Sequence, residues 1–161
     1  MKIRGETASD RDAIRALHLC SFPTADEADL VDRLREEGDV VFSLVADVAD
    51  CLAGHVLFSR MAAPFRALGL APVAVFPEWR RQGMAARLIE AGLANAAEAD
   101  WEAVFVLGEP AYYSRFGFDV TTAQGFQSPY AGPYFMVRAL KPQLPATTGR
   151  VDYPKAFVAL G

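Results

Sequence analysis

The segment from Val73 to Ala85 contains the residue types that could bind an anion. An apolar, strand-like run leads into a turn with Arg80 and Arg81, and Gly83 stands directly before a helical pattern. The first amides of a helix have no partner within the helix, and the helix dipole favours negative charge there. Gly83 has no Cβ, so a ligand could approach the backbone closely. The pattern predicts a pyrophosphate site, and a solvated basic helix start remains the alternative.

Two common phosphate-binding motifs are absent from the sequence. It contains neither the lysine-bearing Walker pattern nor G-x-G-x-x-G. An NTPase or a dinucleotide-binding enzyme is therefore not the first choice, although a different nucleotide-phosphate enzyme using the same helix start stays open.

Composition limits the class of protein further. The 161 residues predict one domain of ordinary globular composition, and the formal net charge of −4 argues against binding to nucleic acid. The two cysteines are far apart and lie in no Cys/His cluster, so we expect small buried thiols and neither a disulfide nor a metal site. The first residues lack the apolar core of a signal peptide, and no segment is apolar enough to span a membrane. We therefore expect a cytoplasmic protein.

The pattern of apolar residues before the basic segment predicts one strand, two helices and three further strands. A first strand is predicted from residue 2 to 7, and two helices follow, with capping boxes at Ser9 to Asp12 and at Thr24 to Glu27. Three closely spaced strand-like runs come next, at 40–46, 52–60 and 68–76, which is typical of an antiparallel meander. Pro72 cannot donate a ladder hydrogen bond. It indicates an edge strand, a bulge or a splayed pairing, and we favour the bulge because the run is too apolar for an exposed edge.

The elements after the basic segment complete an α/β fold with a mixed sheet. A helix over 84–97 followed by a strand over 103–107 suggests a parallel crossover. We expect a short helix near 112–116 and strands near 117–120 and 134–140. Residues 1–140 are predicted to form the domain, and residues 141–161 a linker and a C-terminal extension that docks on it.

Two short motifs resemble a known superfamily. Arg80, Gly83 and Ala85 fit the pattern R/Q-x-x-G-x-G/A, and Tyr113 is followed at the right spacing by Gly117-Phe118. Together they resemble the acetyl-CoA motif and the second hallmark of the GNAT N-acetyltransferases. The runs at 27–35, 54–59 and 107–113 resemble the YhbS-like branch. The likeness covers about residues 2–140 and implies a mostly antiparallel sheet flanked by helices, with a splayed strand pair that admits the cofactor.

The resemblance implies acetyl-CoA as the cofactor and assigns residues to it. The main-chain groups of Val73, Ala74 and Val75 would pair with the pantetheine arm, and Arg80 would add a positive charge near the pyrophosphate. The amides expected to hold the pyrophosphate belong to Arg81, Gln82, Gly83, Met84, Ala85 and Ala86. Arg81 departs from the common motif, in which many members have glycine.

The resemblance also implies two catalytic groups. The Val75 amide would donate to the thioester oxygen during acyl transfer. Tyr113 matches the family's general acid, and it would protonate the departing thiolate or donate a hydrogen bond to it. The alternative is that Tyr112 and Tyr113 only cap the core, which we expect of Tyr112 more than of Tyr113.

The acceptor implied by the resemblance is a primary amine of a small molecule or an exposed amino group. Glu27 and His55 are weak candidates for a base or a substrate contact, because the first also fits a capping box and the second a buried core histidine. Phe22, Tyr130 and Tyr134 could line an acceptor pocket or belong to the core. A homodimer stays open as the assembly. The rival to an enzyme is a non-catalytic acyl-CoA sensor or scaffold on the same fold.

Overall fold

The computed structural model describes residues 1–160. The strands, in chain order, are β1 (Lys2–Gly5), β2 (Val40–Val48), β3 (Cys51–Arg60), β4 (Ala67–Val75), β5 (Ala103–Leu107), β6 (Phe126–Gln127), β7 (Phe135–Ala139) and β8 (Gly149–Arg150). The helices are α1 (Arg11–Ser21), α2 (Asp26–Glu36), α3 (Met84–Glu98), α4 (Pro110–Tyr113) and α5 (Val120–Ala123). Short 3-10 turns lie at Ala8–Asp10, Pro77–Trp79, Ser114–Phe116 and Lys155–Leu160.

Six strands form the central sheet in the order β1-β2-β3-β4-β5-β7. Every neighbouring pair is antiparallel except β4 and β5, which are parallel and are joined through α3. The predicted mixed, mostly antiparallel sheet is therefore confirmed, and so is the parallel crossover.

Strand β4 bends at the proline that the sequence singles out. Val56 pairs with Val73, but Phe58 pairs with Leu70, so β4 carries one extra residue opposite Leu57. That extra residue is the predicted bulge, and it lies at Pro72. Beyond the bulge β4 keeps its pairing with β3 only, because its pairing with β5 covers just Ala67–Gly69. The second half of β4 thus splays away from β5 and leaves a gap between the two strands.

Helices cover both faces of the sheet. Leu88, Ile89 and Leu93 of α3 pack on one face against residues of β3, β4 and β5. On the other face Ile14 of α1 and Leu34 of α2 pack against β2 and β3. The C-terminal turn joins this second layer through Ala156 and Phe157, which are buried with α2. Gly161, the last residue of the predicted extension, lies outside the described residues.

Both predicted capping boxes are wrong. The first box is formed by Thr7 and Asp10, two residues earlier than Ser9 and Asp12, and it opens a 3-10 turn ahead of α1. At the start of α2, the Thr24 hydroxyl accepts from the amide of Asp26 at 3.3 Å, and Ala25 occupies the N-cap without a side-chain bond. Glu27 therefore has no capping role.

Two further expectations are corrected. No strand covers 117–120; a single bridge joins Asp119 to Val137, and the Asp119 side chain caps α5 by accepting from the Thr122 amide at 2.8 Å. Cys20 and Cys51 are exposed thiols and not buried ones, because each lies at the end of its element.

Neither a membrane segment nor a metal centre is found in residues 1–160. Within that range, helices are too short or too polar to cross a bilayer. The same residues contain no group of three or more His, Cys, Asp or Glu side chains arranged to hold a metal ion.

Candidate active site

A cavity of about 550 Å³ opens where β4 leaves β5 and α3 begins. Its walls come from the end of α1, the splayed half of β4, the turn before α3, the first turn of α3, and α4 with the 3-10 turn after it. The lining residues are Ser21, Phe22, Val73, Ala74, Val75, Trp79, Arg80, Arg81, Gly83, Met84, Ala85, Ala86, Tyr112 and Arg115. The cavity thus collects nearly all the predicted cofactor-binding residues.

The main chain of β4 faces the gap at Val75. The Phe76 amide donates to the Ala53 carbonyl of β3 at 2.8 Å. Successive peptide groups of an extended strand point to alternate sides, so the Val75 amide points away from β3 and toward the gap. No strand pairs with β4 on that side at Val75. This amide is therefore free to donate to a ligand in the cavity.

Arg80 joins the turn to β4 and α1. Its Nε donates to the Val75 carbonyl at 2.8 Å, and its Nη2 donates to Ser21 Oγ at 3.3 Å. The guanidinium holds the Val75 peptide in place and still leaves a positive charge at the cavity wall.

The turn before α3 needs two left-handed backbone conformations. Gly83 has φ +76°, a conformation that glycine adopts without strain, while a Cβ there would meet no atom within 4 Å. Glycine is thus required by the backbone angle and not by crowding. Arg81 also has a positive φ, 64°, at the position where the common motif has glycine. A non-glycine residue in this conformation is strained by about 1 to 2 kcal/mol.

The first turn of α3 offers free amides to the cavity. The first bond within the helix runs from the Arg87 amide to the Gly83 carbonyl at 3.1 Å, and no side chain caps this terminus. The amides of Met84, Ala85 and Ala86 therefore lack partners within the helix. With Arg80 and Arg81 beside them, these amides form an arrangement suited to an anion, at the position that the sequence predicts. Gln82 belongs to the same turn but does not line the cavity.

Only one of the two adjacent tyrosines lines the cavity. Tyr112 lines the cavity, whereas Tyr113 does not. The Tyr113 ring packs against Gly108, where any Cβ would collide with it, and against the Phe118 ring at 5.8 Å between centroids. Burial, with a contribution from Tyr112, raises the pKa of Tyr113 to about 12. Its hydroxyl stays protonated and can donate a hydrogen bond throughout the neutral range.

Arg115 is the clearest residue that sequence reasoning missed. Its guanidinium lies 4.5 Å from the centre of the Tyr112 ring, and its Nε donates to the Tyr112 carbonyl at 2.9 Å. Residues three apart share one face of a helical turn, so the spacing of Tyr112 and Arg115 was the available signal. Ser21 and Trp79 were also missed, and no pattern in the sequence marks them. Phe22, proposed for an acceptor pocket, does line the cavity.

The two weak candidates for the acceptor side lie outside the cavity. Glu27 is in the first turn of α2, and its Oε1 is buried without a hydrogen-bond partner among the described residues. His55 is fully buried on β3, directly across from Ala74 of β4. Neither residue is brought to the cavity wall, although His55 lies immediately behind it.

Fold and site together define an acetyltransferase of the GNAT type. The family model described as acetyltransferase (GNAT) domain matches residues 2–121 of the chain. The chain therefore belongs to the GNAT acetyltransferase family, and the expected enzyme class is confirmed.

Individual relatives are similar to this chain over nearly its whole length. The uncharacterized N-acetyltransferase YhbS of Escherichia coli K12 is 37% identical over 164 residues, covering 98% of each protein. The crystal structure of E. coli YhbS in complex with CoA matches with a TM-score of 0.93 at 36% identity, covering 99% of this chain and 93% of that one. A GNAT acetyltransferase from Brucella melitensis in complex with acetyl-CoA matches with a TM-score of 0.81 at 31% identity, covering 97% of each chain. The resemblance to the YhbS-like branch is thereby confirmed.

Proposed function

We propose that this protein transfers an acetyl group from acetyl-CoA to a primary amine, of a small molecule or an exposed amino group, by direct attack in a ternary complex. The observation that carries the proposal is the joint opening of the β4 gap and the uncapped start of α3 into one cavity. The two related structures that contain CoA or acetyl-CoA support the same donor.

The donor site uses main chain for the pantetheine and charge for the phosphates. Val73, Ala74 and Val75 present an unpaired strand edge, which suits the amide groups of a pantetheine arm. The amides of the turn and the first turn of α3, from Arg81 to Ala86, suit a pyrophosphate. We assign Arg80 and Arg81 to supply positive charge for the phosphates and add Arg115, which also lines the cavity.

Acyl transfer needs a donor for the thioester oxygen and one for the sulfur. The Val75 amide points into the gap, and Arg80 fixes the next peptide group through the Val75 carbonyl, so we assign this amide to the oxygen. We assign Tyr113 to the sulfur, as a hydrogen-bond donor. Full proton transfer from a phenol of pKa about 12 to a thiolate of pKa about 8.5 would be uphill by about 5 kcal/mol. Donation of a hydrogen bond avoids that barrier.

The attacking amine must be neutral. An α-amine is about one-tenth neutral at pH 7, and a lysine side chain about one-thousandth. A lysine acceptor therefore needs a base more than an α-amine does. We keep Glu27 and His55 as acceptor-side candidates, the first because one carboxylate oxygen is buried without a partner in the described residues.

A thermal-shift titration with acetyl-CoA, CoA and ATP tests the donor site. A ligand at a hundred times its Kd stabilises the fold by about 2.7 kcal/mol. We expect a clear rise in Tm with both CoA forms and none with ATP. Absence of a shift with both CoA forms, at saturating concentration, would remove the proposed donor site.

An amine panel tests the transfer itself. Benzylamine, alanine amide and Nα-acetyl-lysine amide represent an apolar amine, an α-amine and a lysine side chain, and release of free CoA thiol reports turnover. One observation favours the sensor alternative, namely that Tyr113 does not line the cavity. Binding of CoA without thiol release, with this panel and with amine-bearing peptides, would support the sensor. A homodimer and a cytoplasmic location stay predictions.

A further inference from the structure

A chain of polar side chains, of which two are fully buried and two are half-buried, lies behind the cavity, on the face of the sheet opposite α3. His18 of α1 and His55 of β3 are both fully buried, and His18 Nε2 lies 2.8 Å from His55 Nδ1. His55 Nε2 lies 2.8 Å from Ser43 Oγ of β2. Ser43 Oγ in turn donates to a carboxylate oxygen of Glu6, just after β1. Four side chains from four segments thus form one continuous hydrogen-bonded chain.

The carboxylate end sets the direction of every bond in the chain. Glu6 pairs with Arg35 through two contacts, at 3.0 and 3.1 Å, and an ionised carboxylate only accepts. Ser43 must then donate to Glu6 and accept from His55 Nε2–H. A neutral imidazole has one donor and one acceptor, so His55 Nδ1 accepts the Nε2–H of His18. The network therefore assigns His18 Nδ1 as a lone-pair acceptor.

Both imidazoles are in the neutral form that this assignment requires. Burial, with the charge of Arg35, lowers the pKa of His18 to about 4. Burial also lowers the pKa of His55 well below its usual value, with His18 and Arg35 acting in the same direction and Asp10 opposing. These charged groups lie on α2 and just before α1, and Glu6 lies just after β1.

The free end of the chain lies next to the active-site cavity. His18 Nδ1 is buried and has no hydrogen-bond partner in the described part of the protein. The His18 ring stacks on Phe22 with 6.0 Å between centroids, and Phe22 lines the cavity. His55 is the cross-strand partner of Ala74, which lines it too. A buried, unpaired acceptor is unfavourable, which suggests a partner that arrives with the substrate.

We propose that His18 is the base for the acceptor amine, reacting at Nδ1 directly or through one water molecule, and that Glu6, Ser43 and His55 are positioning residues that hold its tautomer. The inference rests on the proposed function. It requires the Phe22 ring, which stacks on His18 and lines the cavity, to turn aside when the amine binds. The same movement admits water to the imidazole and relieves the burial that lowers its pKa, so that His18 can accept the proton.

Protons and bonds balance in this step. The amine nitrogen bonds to the acetyl carbon and yields one proton to His18 Nδ1, and the bond between carbon and sulfur breaks. Nδ1 then returns that proton to the sulfur, which regenerates the neutral imidazole. A neutral amine and acetyl-CoA thus give the amide and CoA, with the enzyme unchanged.

Substitution of the base is the first test. We expect His18→Gln to lower kcat by about a hundredfold with the best amine of the panel, while CoA still raises Tm as in the wild type. The loss of kcat should become smaller as pH rises, because more of the amine is then neutral and hydroxide can take its proton in place of His18. A loss that is the same at all pH values, together with weaker CoA binding, would identify a purely structural role and overturn the proposal.

Substitution of Ser43, within the hydrogen-bonded chain, distinguishes a positioning role of this chain from a role in packing alone. Ser43→Ala removes the hydroxyl that links His55 to Glu6, and Ser43→Thr keeps it. The matched control is Ser59→Ala, because Ser59 is a fully buried serine on β3 whose hydroxyl has no partner within residues 1–160. We expect Ser43→Ala alone to lower kcat, with KM for acetyl-CoA unchanged and Ser43→Thr restoring the rate. Equal kcat in all three variants would overturn the positioning role.

Nitrogen-15 NMR of the imidazoles tests the assigned tautomers of His18 and His55 and does not depend on turnover. In the full-length protein we expect both rings as neutral Nε2–H tautomers between pH 6 and 8. A charged ring, or an Nδ1–H on His18, would overturn the inference even if the protein acetylates amines. Conversely, if both tautomers are as expected and no amine is acetylated, the assigned hydrogen bonds are correct and the proposed function is wrong.

Discussion

The two sides of β4 differ in the kind of group that they present, because one side offers main-chain amides and the other offers side chains. The proposed donor side is a stretch of neighbouring residues, from Val73 to Ala86, that presents backbone amides and exposed arginines at the cavity. The other side is a set of buried and half-buried side chains from four segments, linked by hydrogen bonds from Glu6 to His18. A main-chain site depends on backbone angles and tolerates varied side chains. A side-chain site depends on every partner and on exclusion of water.

Their electrostatics differ for the same reason. Arg80 and Arg81 are exposed, so salt screens their attraction for a phosphate. His18 and His55 are desolvated, so burial moves their pKa values by a large amount. We therefore expect salt to affect the donor side most, and pH to affect the histidine side most.

The largest expected effect is a loss of stability in mild acid. Between pH 6.5 and 4 the unfolded chain protonates His18, whose folded pKa is about 4, so the free energy of unfolding falls with pH by about 3 kcal/mol from this residue alone. The lowered pKa of Asp10, which Arg4 holds ionised, acts only at lower pH. Urea unfolding at pH 7 and pH 5 measures about 2 kcal/mol of this loss, and His18→Gln should make the difference smaller. An identical pH dependence in that variant would contradict a buried neutral His18.

Substitution of the two tyrosines compares Tyr112, which lines the cavity, with Tyr113, which does not. We expect Tyr113→Phe to lower kcat by about a hundredfold, because a preorganised donor to the leaving sulfur is lost, with little change in KM for acetyl-CoA. Tyr112→Phe is the matched control and should mainly change KM. The reverse pattern in steady-state kinetics would assign the donor role to Tyr112, which lines the cavity.

Gly83→Ala tests whether the donor side depends on backbone angles. Alanine at φ +76° is strained by about 1 to 2 kcal/mol, so the turn should relax and KM for acetyl-CoA should rise about tenfold. Gly38→Ala is the control, because Gly38 follows α2, has the same φ of 76° and lies outside the cavity. It should lower Tm similarly and leave KM unchanged. Similar KM values in both variants would argue against a main-chain site.

The smallest expected effect separates charge from strain at Arg81. Asparagine tolerates the left-handed conformation, so Arg81→Asn should raise the free energy of unfolding by about 0.5 to 1 kcal/mol. The same change removes a charge and should weaken CoA binding a few-fold at low salt, but less at high salt. Arg87→Gln controls for charge, because Arg87 is exposed on α3 and does not line the cavity. Stronger binding by Arg81→Asn would show that strain outweighs charge there.

Local patterns predicted the elements well and their ends less well. Leu30, Val31 and Leu34 recur in the sequence at helical spacing, and the structure buries all three on α2. Pro72 likewise indicates the bulge that β4 contains. The cap of α2 was missed because Thr24 bonds to the amide of Asp26, one residue earlier than a capping box requires. Competing local hydrogen bonds of similar strength decide such ends, and the sequence does not rank them.

The sequence by itself determined the donor side, because the turn, the helix start and the strand before it are neighbours in the chain. A backbone site of this kind needs only a few residue types at fixed spacing. The tertiary structure alone decided which tyrosine faces the cavity and that His18, His55, Ser43 and Glu6 meet in one chain. Their contacts join residues up to 37 positions apart, and their pKa values follow from burial that exists only once α1 has packed on the sheet.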